Sequence, residues 1–118
     1  MSYSPRRQSK RWLDGDCPAE VLAIMDNGGK SFDRYTVFYV PTKAEREANP
    51  HRGMFIGYRA MSEHPSSPNG FGIYEEMEAY KVADYRYRSK HQYATWSSLP
   101  EDVKDTVRQD CKDIRDND

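Results

Sequence analysis

The chain has 118 residues, of which 36% are hydrophobic and 13% aromatic, and its formal net charge at pH 7 is −1. This length predicts one domain with a modest core, and the aromatic side chains argue against a disordered chain because each buries a large area. The nearly neutral charge argues against a surface that is basic throughout and coats nucleic acid. No apolar run reaches the roughly 20 residues of a membrane span, and none follows the charged N-terminus as in a signal peptide. We therefore expect a cytoplasmic protein with no membrane partner.

Charges are concentrated at the two ends of the chain. Residues 1–12 contain four bases and no acid, which predicts a flexible basic arm before a single α+β domain at residues 13–118; the bases are Arg6, Arg7, Lys10 and Arg11. Residues 98–118 contain seven acids against four bases. An acidic end of this kind either mimics the phosphates of a nucleic acid or is simply solvated, and the sequence leaves both interpretations open.

The first half of the domain predicts a β-hairpin. A short apolar run lies between Glu20 and Asp26 and is followed by Asn27 and Gly28, the strongest short hairpin signal because both residues tolerate positive φ. The return strand spans residues 32–40, and one or two helical turns are expected over residues 42–48. Residues 53–61 predict a third strand. Residues 73–82 fit a helix by their glutamates and a strand by their aromatic residues, and short strands are expected around residues 85–87 and 93–96.

The last helix has the clearest pattern. Ser98 is a candidate N-cap, Pro100 falls in the first turn, and acids follow at the positive end of the helix dipole. Apolar residues then recur at spacings of four, four, four and three, which predicts one buried stripe; they are Leu99, Val103, Val107, Cys111 and Ile114. The predicted fold class is α+β, with a small antiparallel sheet of four or five strands packed by this C-terminal helix.

Two segments in the second half of the chain carry a family resemblance. The run Met61-Ser62-Glu63-His64-Pro65 leads into Ser67-Pro68-Asn69-Gly70-Phe71-Gly72, and Trp96-Ser97-Ser98-Leu99-Pro100 opens the last helix. These segments resemble small uncharacterised proteins of bacteriophages and plasmids with the patterns M-S-E-x-P-x-x-P-x-G-x-G and W-S-x-L-P-x-D-V. The family pattern continues with Gln-His after the loop, where this chain has Ile73-Tyr74. The resemblance implies an accessory protein of a mobile element, acting in the cytoplasm of its host, and it supplies no chemistry.

The loop at residues 62–72 is the first candidate binding site. Its prolines stiffen the backbone and its glycines permit unusual conformations, but it lacks both glycine-rich phosphate-binding patterns. The loop either packs on itself or presents side chains to a partner. The candidate partner-binding residues are Glu63, His64, Asn69, Phe71 and Tyr74. Together with the resemblance they suggest a non-enzymatic interaction module that modulates or inhibits a host complex, such as a defence system.

Residues 85–93 provide the alternative, a single-stranded nucleic-acid-binding site. A strand here would place tyrosines on one face and cations on the other, and aromatic side chains alternating with bases suit stacking and phosphate contact. The residues concerned are Tyr85, Tyr87, Arg86, Arg88 and Lys90, and the basic arm would add to the same field. An ordinary half-buried strand has the same pattern, so the sequence leaves this open too.

No complete catalytic or metal-binding pattern is present in the sequence. His51, His64 and His91 are far apart and lack the short spacing of metal ligands. An enzyme would require Glu63 and His64 to act with a remote acid, so we expect no catalytic residue, no metal and no cofactor. Cys17 and Cys111 also lack metal spacing, and whether they form a single disulfide bridge is left open.

Overall fold

The computed structural model describes residues 6–31, 33–48, 53–62 and 72–117. They form one antiparallel sheet, in which the strands lie in their order along the chain, and helices that include a long C-terminal one, so the predicted α+β class is confirmed. The strands are β1 (Val21–Asp26), β2 (Tyr35–Tyr39), β3 (Phe55–Met61) and β4 (Tyr74–Glu78). The helices are α1 (Lys43–Ala48), α2 (Ala79–Arg88) and α3 (Glu101–Asp116), with short 3-10 helices at Lys90–Gln92 and Trp96–Ser98.

The β1–β2 hairpin forms where the sequence predicts it. Asn27 accepts hydrogen bonds from the backbone N–H groups of Gly29 and Lys30, and Gly28 and Gly29 have φ of 77° and 85°. The turn therefore uses the positive φ that favours glycine. A register shift in β1 at residues 21–23 adds an extra residue opposite β2, so that the strand does not alternate strictly between its two faces.

The sheet is covered on both faces. The predicted stripe of α3 is buried against one face, where it packs with residues such as Val37 and Tyr39. Ala79 and Val82 of α2 pack on the opposite face, near Phe38. Within the described ranges, no helix combines the length and the apolar character that a membrane span requires.

Three of the local predictions are wrong. The strand expected around residues 85–87 is part of α2, which begins immediately after β4, so residues 73–82 divide into a strand and a helix. The strand expected over residues 93–96 is reduced to one bridge between Tyr93 and Met25, followed by a 3-10 turn. Ser98 does not cap α3: its hydroxyl donates to the carbonyl of Thr95, and α3 begins after Pro100.

The described part of the basic arm lies against the sheet. Arg7 donates from Nε to the carbonyl of Val21 over 2.7 Å, and the backbone N–H of Gln8 donates to the carbonyl of Leu22. The buried Gln8 side chain accepts a hydrogen bond from the N–H of Ile24 over 2.8 Å. Residues 7 and 8 of the predicted arm are therefore held along the outer edge of β1.

Candidate binding face beside strand β4

Tyr74 is an exposed aromatic residue in a fixed position. Its ring lies across the sheet over Gly57 and stacks on the ring of Tyr39, with centroids 5.9 Å apart and planes inclined by 26°. A Cβ atom at position 57 would overlap the Tyr74 hydroxyl, so glycine makes the room for the ring. The side chain is nevertheless 40% exposed. Tyr74 therefore presents a positioned ring surface to solvent.

An ion pair that is largely withdrawn from water contacts the hydroxyl of Tyr39. The Tyr39 hydroxyl donates to Asp110 of α3 over 2.6 Å, and Arg59 of β3 donates to the same carboxylate from Nε and Nη2, both over 2.8 Å. Asp110 is buried, and burial followed by the charge of Asp110 raises the pKa of Tyr39 above its ordinary value. The hydrogen bond to Asp110 raises the pKa of Arg59. The network joins β2, β3 and α3 next to Tyr74.

Arg59 also fixes the chain where it enters β4. Its Nη1 atom donates to the carbonyl of Gly72 over 3.1 Å. Gly72 has a φ of 62°, and a Cβ atom there would overlap the carbonyl oxygen of Ala60. The next residue, Ile73, is 69% exposed. The Arg59 guanidinium therefore binds two groups near Tyr74. One is the Asp110 carboxylate, which bonds to Tyr39, and the other is the backbone carbonyl of Gly72, two residues before Tyr74.

Two open hollows flank the Tyr74 ring. The larger has a volume of about 370 Å³ and extends towards α3, with Asp113 and Asn117 at its wall. The smaller has a volume of about 70 Å³ and extends towards Phe55, which is itself 43% exposed. Tyr74 and Thr42 line both hollows. We define the Tyr74 face as the surface of the two hollows together with Phe55, Arg59, Tyr74 and Glu76.

The charge of β4 is acidic. Glu75 and Glu76 are exposed on opposite faces of the strand. Glu75 accepts a hydrogen bond from the Tyr58 hydroxyl over 2.9 Å, and burial followed by this bond raises the pKa of Tyr58. Glu78 pairs with Lys81 over 3.2 Å. The carboxylate of Glu76 therefore gives the surface beside Tyr74 a negative charge, and the carboxylate of Glu75 does the same on the opposite face of β4.

Of the predicted partner-binding residues, Tyr74 lies on this face. Glu63, His64, Asn69 and Phe71 lie outside the described residues. The Arg59–Asp110 pair is not among the residues predicted from the sequence. A signal for it existed, since Asp110 falls three residues after Val107 and four before Ile114, which is the spacing of the buried stripe.

The residues of the nucleic-acid alternative lie on α2 and the following turn, so the predicted separation of tyrosines and cations between two strand faces is wrong. Tyr85 turns inward and packs on Phe38, with ring centroids 5.8 Å apart. Tyr87 points outward and is 73% exposed. The helical period of 3.6 separates residues two positions apart, whereas a strand would align them.

The cations of this segment are partly engaged with the rest of the protein. Arg86 donates to the carbonyl of Arg6 over 2.6 Å, and Arg88 pairs with Asp84 over 2.9 Å. The Lys90 ammonium lies 5.4 Å from the centre of the Tyr87 ring. These side chains therefore form a basic and aromatic surface on the α2 side of the sheet.

Neither thiol is activated in this structure. Cys17 and Cys111 are free, and burial raises the pKa of Cys17 to about 11 and that of Cys111 to about 12. Within residues 6–31, 33–48, 53–62 and 72–117, no group of three His, Cys, Asp or Glu side chains is placed to hold a metal ion. His51 and the Glu63–His64 pair lie outside the described residues, and His91 is exposed.

No family model, no curated protein and no solved structure matches the chain. The contacts, burial and charge around Tyr74 are therefore the basis for its functional interpretation.

Proposed function

We propose that this chain is a non-enzymatic protein-binding module of a phage or mobile element, which binds a host protein complex such as a defence system and inhibits it. The Tyr74 face is its contact surface. The observation that carries the proposal is the position of Tyr74, which is 40% exposed while its ring is held by Tyr39 and Gly57. Exposed, positioned tyrosines are among the residues that contribute most to protein–protein affinity.

Preorganisation is the physical reason that this face suits a partner. Ordering a flexible side chain on binding costs roughly 0.5–1.5 kcal/mol. The stacking on Tyr39 and the support from Asp110 restrict the Tyr74 ring before any partner arrives. The hollows on either side of the ring offer space for partner side chains, and Phe55 adds a second exposed aromatic residue nearby.

Two exposed tyrosines permit a matched test of this proposal. Tagged wild type, Tyr74→Ala and Tyr87→Ala proteins are used to capture partners from a host lysate, and affinity for the purified partner is then measured. Tyr74→Ala should weaken the affinity by at least about tenfold, whereas Tyr87→Ala should leave it unchanged. Equal affinities of wild type and Tyr74→Ala would refute the Tyr74 face as the contact surface.

A second candidate function is single-stranded nucleic-acid binding on the α2 side. The observation in its favour is a pair of aromatic rings that lies between two cations. The guanidinium of Arg11 lies 5.1 Å from the Trp12 ring, Trp12 meets Tyr93 edge-on at 5.8 Å, and Arg86 lies 5.9 Å from the Tyr93 ring. The hydrogen bond from Arg86 to the Arg6 carbonyl brings the basic arm beside α2. Such surfaces bind single strands by stacking and phosphate contact.

Salt dependence distinguishes this candidate from protein binding. A single-stranded oligonucleotide is titrated at two ionic strengths with wild type, the Arg86→Ala, Arg88→Ala double variant and a Lys112→Ala control. Binding should weaken steeply with salt, and the double variant should reduce both the affinity and the salt slope. Lys112 is exposed on α3 and should have no effect. Absence of binding by the wild type at low ionic strength would exclude the candidate.

A further inference from the structure

The two edges of the sheet differ in how they are covered. The outer edge of β1 accepts hydrogen bonds from two segments, one before it in the sequence and one after it. The N–H of Gln8 donates to the Leu22 carbonyl, and the N–H of Ala94 donates to the Ile24 carbonyl. β4 forms the other edge. In the part of the chain that the structure describes, no backbone group bonds to the outer side of β4. An uncovered edge is a template for another strand.

The ladder between β3 and β4 identifies the groups that point outward. The N–H of Ala79 donates to the carbonyl of Met54 over 2.7 Å, so these residues form a hydrogen-bonded pair. Such pairs alternate with non-bonded ones in an antiparallel ladder. Because Phe55 pairs with Glu78 in the same register, the residues of β4 whose backbone groups point away from β3 are the even-numbered ones, including Tyr74 and Glu76.

Charge determines which strand fits this edge. Glu75 and Glu76 place carboxylates on both faces beside the edge, and Glu76 has no ion pair with any described residue. A second copy of β4 paired antiparallel about Glu76 would bring the two Glu76 side chains together, and like charges in that position are destabilising. Lysine or arginine residues in an added strand would instead lie opposite these carboxylates. Complementary charge therefore selects a basic segment and disfavours self-association.

We propose that β4 binds an extended, basic segment of the partner protein as an added antiparallel or parallel strand. Backbone hydrogen bonds to Tyr74 and Glu76 provide affinity, and cationic side chains opposite Glu75 and Glu76 provide specificity. The inference rests on the proposed function, since the added strand lies beside the ring of Tyr74. The inference goes further than the proposed function because it specifies the chemistry of the partner segment, which is extended and basic.

Glu76→Pro removes an outward N–H without removing a hydrogen bond to β3, and proline is tolerated on edge strands at such positions. The probe is a short synthetic peptide in which pairs of adjacent lysines alternate with pairs of valines, so that lysines fall on both faces of the added strand. Its control is the same peptide with every backbone amide N-methylated, which keeps the charge and loses the donors. The unmethylated peptide should bind the wild type and protect the Tyr74 and Glu76 amides from hydrogen exchange. Glu76→Pro should weaken this binding by about tenfold, and the Glu75→Gln, Glu76→Gln double variant by roughly threefold to tenfold at low salt.

The outcomes separate strand addition from simple charge attraction. Equal binding of the N-methylated peptide, or unprotected amides at Tyr74 and Glu76, would overturn the proposal even if Glu76→Pro fails to fold. Dimerisation of the wild type through β4 would also overturn it. With the captured partner, loss of binding by Tyr74→Ala together with full binding by a folded Glu76→Pro would retain the proposed function and reject strand addition. Full binding by both variants would reject both.

Discussion

Arg59 donates one hydrogen bond to each carboxylate oxygen of Asp110, and both bonds measure 2.8 Å. The Arg59 side chain is 17% exposed and that of Asp110 is 7% exposed, so the pair is largely withdrawn from water. It joins β3 to α3, and its carboxylate accepts a hydrogen bond from the hydroxyl of Tyr39, on whose ring Tyr74 stacks. The stability of the fold and the position of the proposed contact residue therefore depend on the same pair.

Removal of Asp110 should show how strongly the stability of the fold depends on the Arg59–Asp110 pair. Asp110→Ala leaves the Arg59 guanidinium without its carboxylate in a poorly solvated position, which should lower the free energy of unfolding by about 3 kcal/mol. Asp113→Ala, an exposed acid on the same helix, should change it by less than about 0.5 kcal/mol. Urea unfolding measures both. Similar values for the two variants would show that the buried pair contributes little.

The burial of Tyr39 beside Asp110 predicts a loss of stability at alkaline pH. The pKa of Tyr39 is raised in the folded protein, mainly by burial, from an ordinary value of 10.0. The unfolded chain therefore releases this proton at a lower pH than the folded chain. The contribution is fully present below about pH 10 and is lost above it, at about 1.4 kcal/mol per pH unit.

Tyr39→Phe isolates this effect from other ionisations. The variant should be less stable by about 1–2 kcal/mol at pH 7, because Asp110 loses a hydrogen bond. Phenylalanine does not ionise, so its disadvantage should shrink as the pH rises above 10. Urea unfolding across pH 7 to 11 measures the difference in unfolding free energy between the wild type and Tyr39→Phe. The ionisation of Cys17 and Cys111 cancels in this difference, because both proteins contain them. A difference that stays constant with pH would contradict the raised pKa.

The sequence predicts the elements whose signals are local. The hairpin follows from Asn27, whose side chain accepts two backbone hydrogen bonds of the turn, and from Gly28 and Gly29, which supply the positive φ. The buried face of α3 follows from its regular apolar spacing. Helix α2 is harder to predict from the sequence, because its tyrosines and cations alternate as they would in a strand. The contact of Ala79 and Val82 with the sheet, rather than local preference, decides in favour of the helix.

The candidate site depends on contacts between distant parts of the chain. Tyr39 and Asp110 are separated by 71 positions, and Arg59 and Asp110 by 51. No local pattern relates such residues. The place of Tyr74 after the loop makes it a candidate from sequence, but its stacking on Tyr39 depends on the strand order and on the absence of a side chain at Gly57.

Both thiols should react slowly in the folded protein. The pKa of Cys17 rises from 9.0 to about 11, so at pH 8 its thiolate fraction is about a hundredfold lower than in the unfolded chain. Cys111 is buried and its pKa is about 12, which should make it slower still. Labelling with a thiol reagent in buffer and in urea, using Cys17→Ser and Cys111→Ser variants, assigns each rate. Fast labelling of Cys111 in the native protein would contradict its burial.

Gly57→Ala should displace the Tyr74 ring with little effect on the fold. The added Cβ atom would overlap the Tyr74 hydroxyl, and the exposed ring can swing outward to relieve the overlap. The unfolding free energy should therefore stay within about 1 kcal/mol of the wild type, since one aromatic contact is lost. Partner affinity should nevertheless fall by at least about tenfold, as for Tyr74→Ala, because the ring is no longer preorganised.

Gly53→Ala is the matched control for this prediction. A Cβ atom at position 53 meets nothing within 4 Å, so the substitution has the same chemistry without the overlap. Its affinity for the partner should equal that of the wild type. NMR chemical shifts of the Tyr74 and Tyr39 rings would show whether the stack opens in Gly57→Ala alone. If the stack opens and partner affinity is unchanged, the fixed position of Tyr74 is not what the partner recognises.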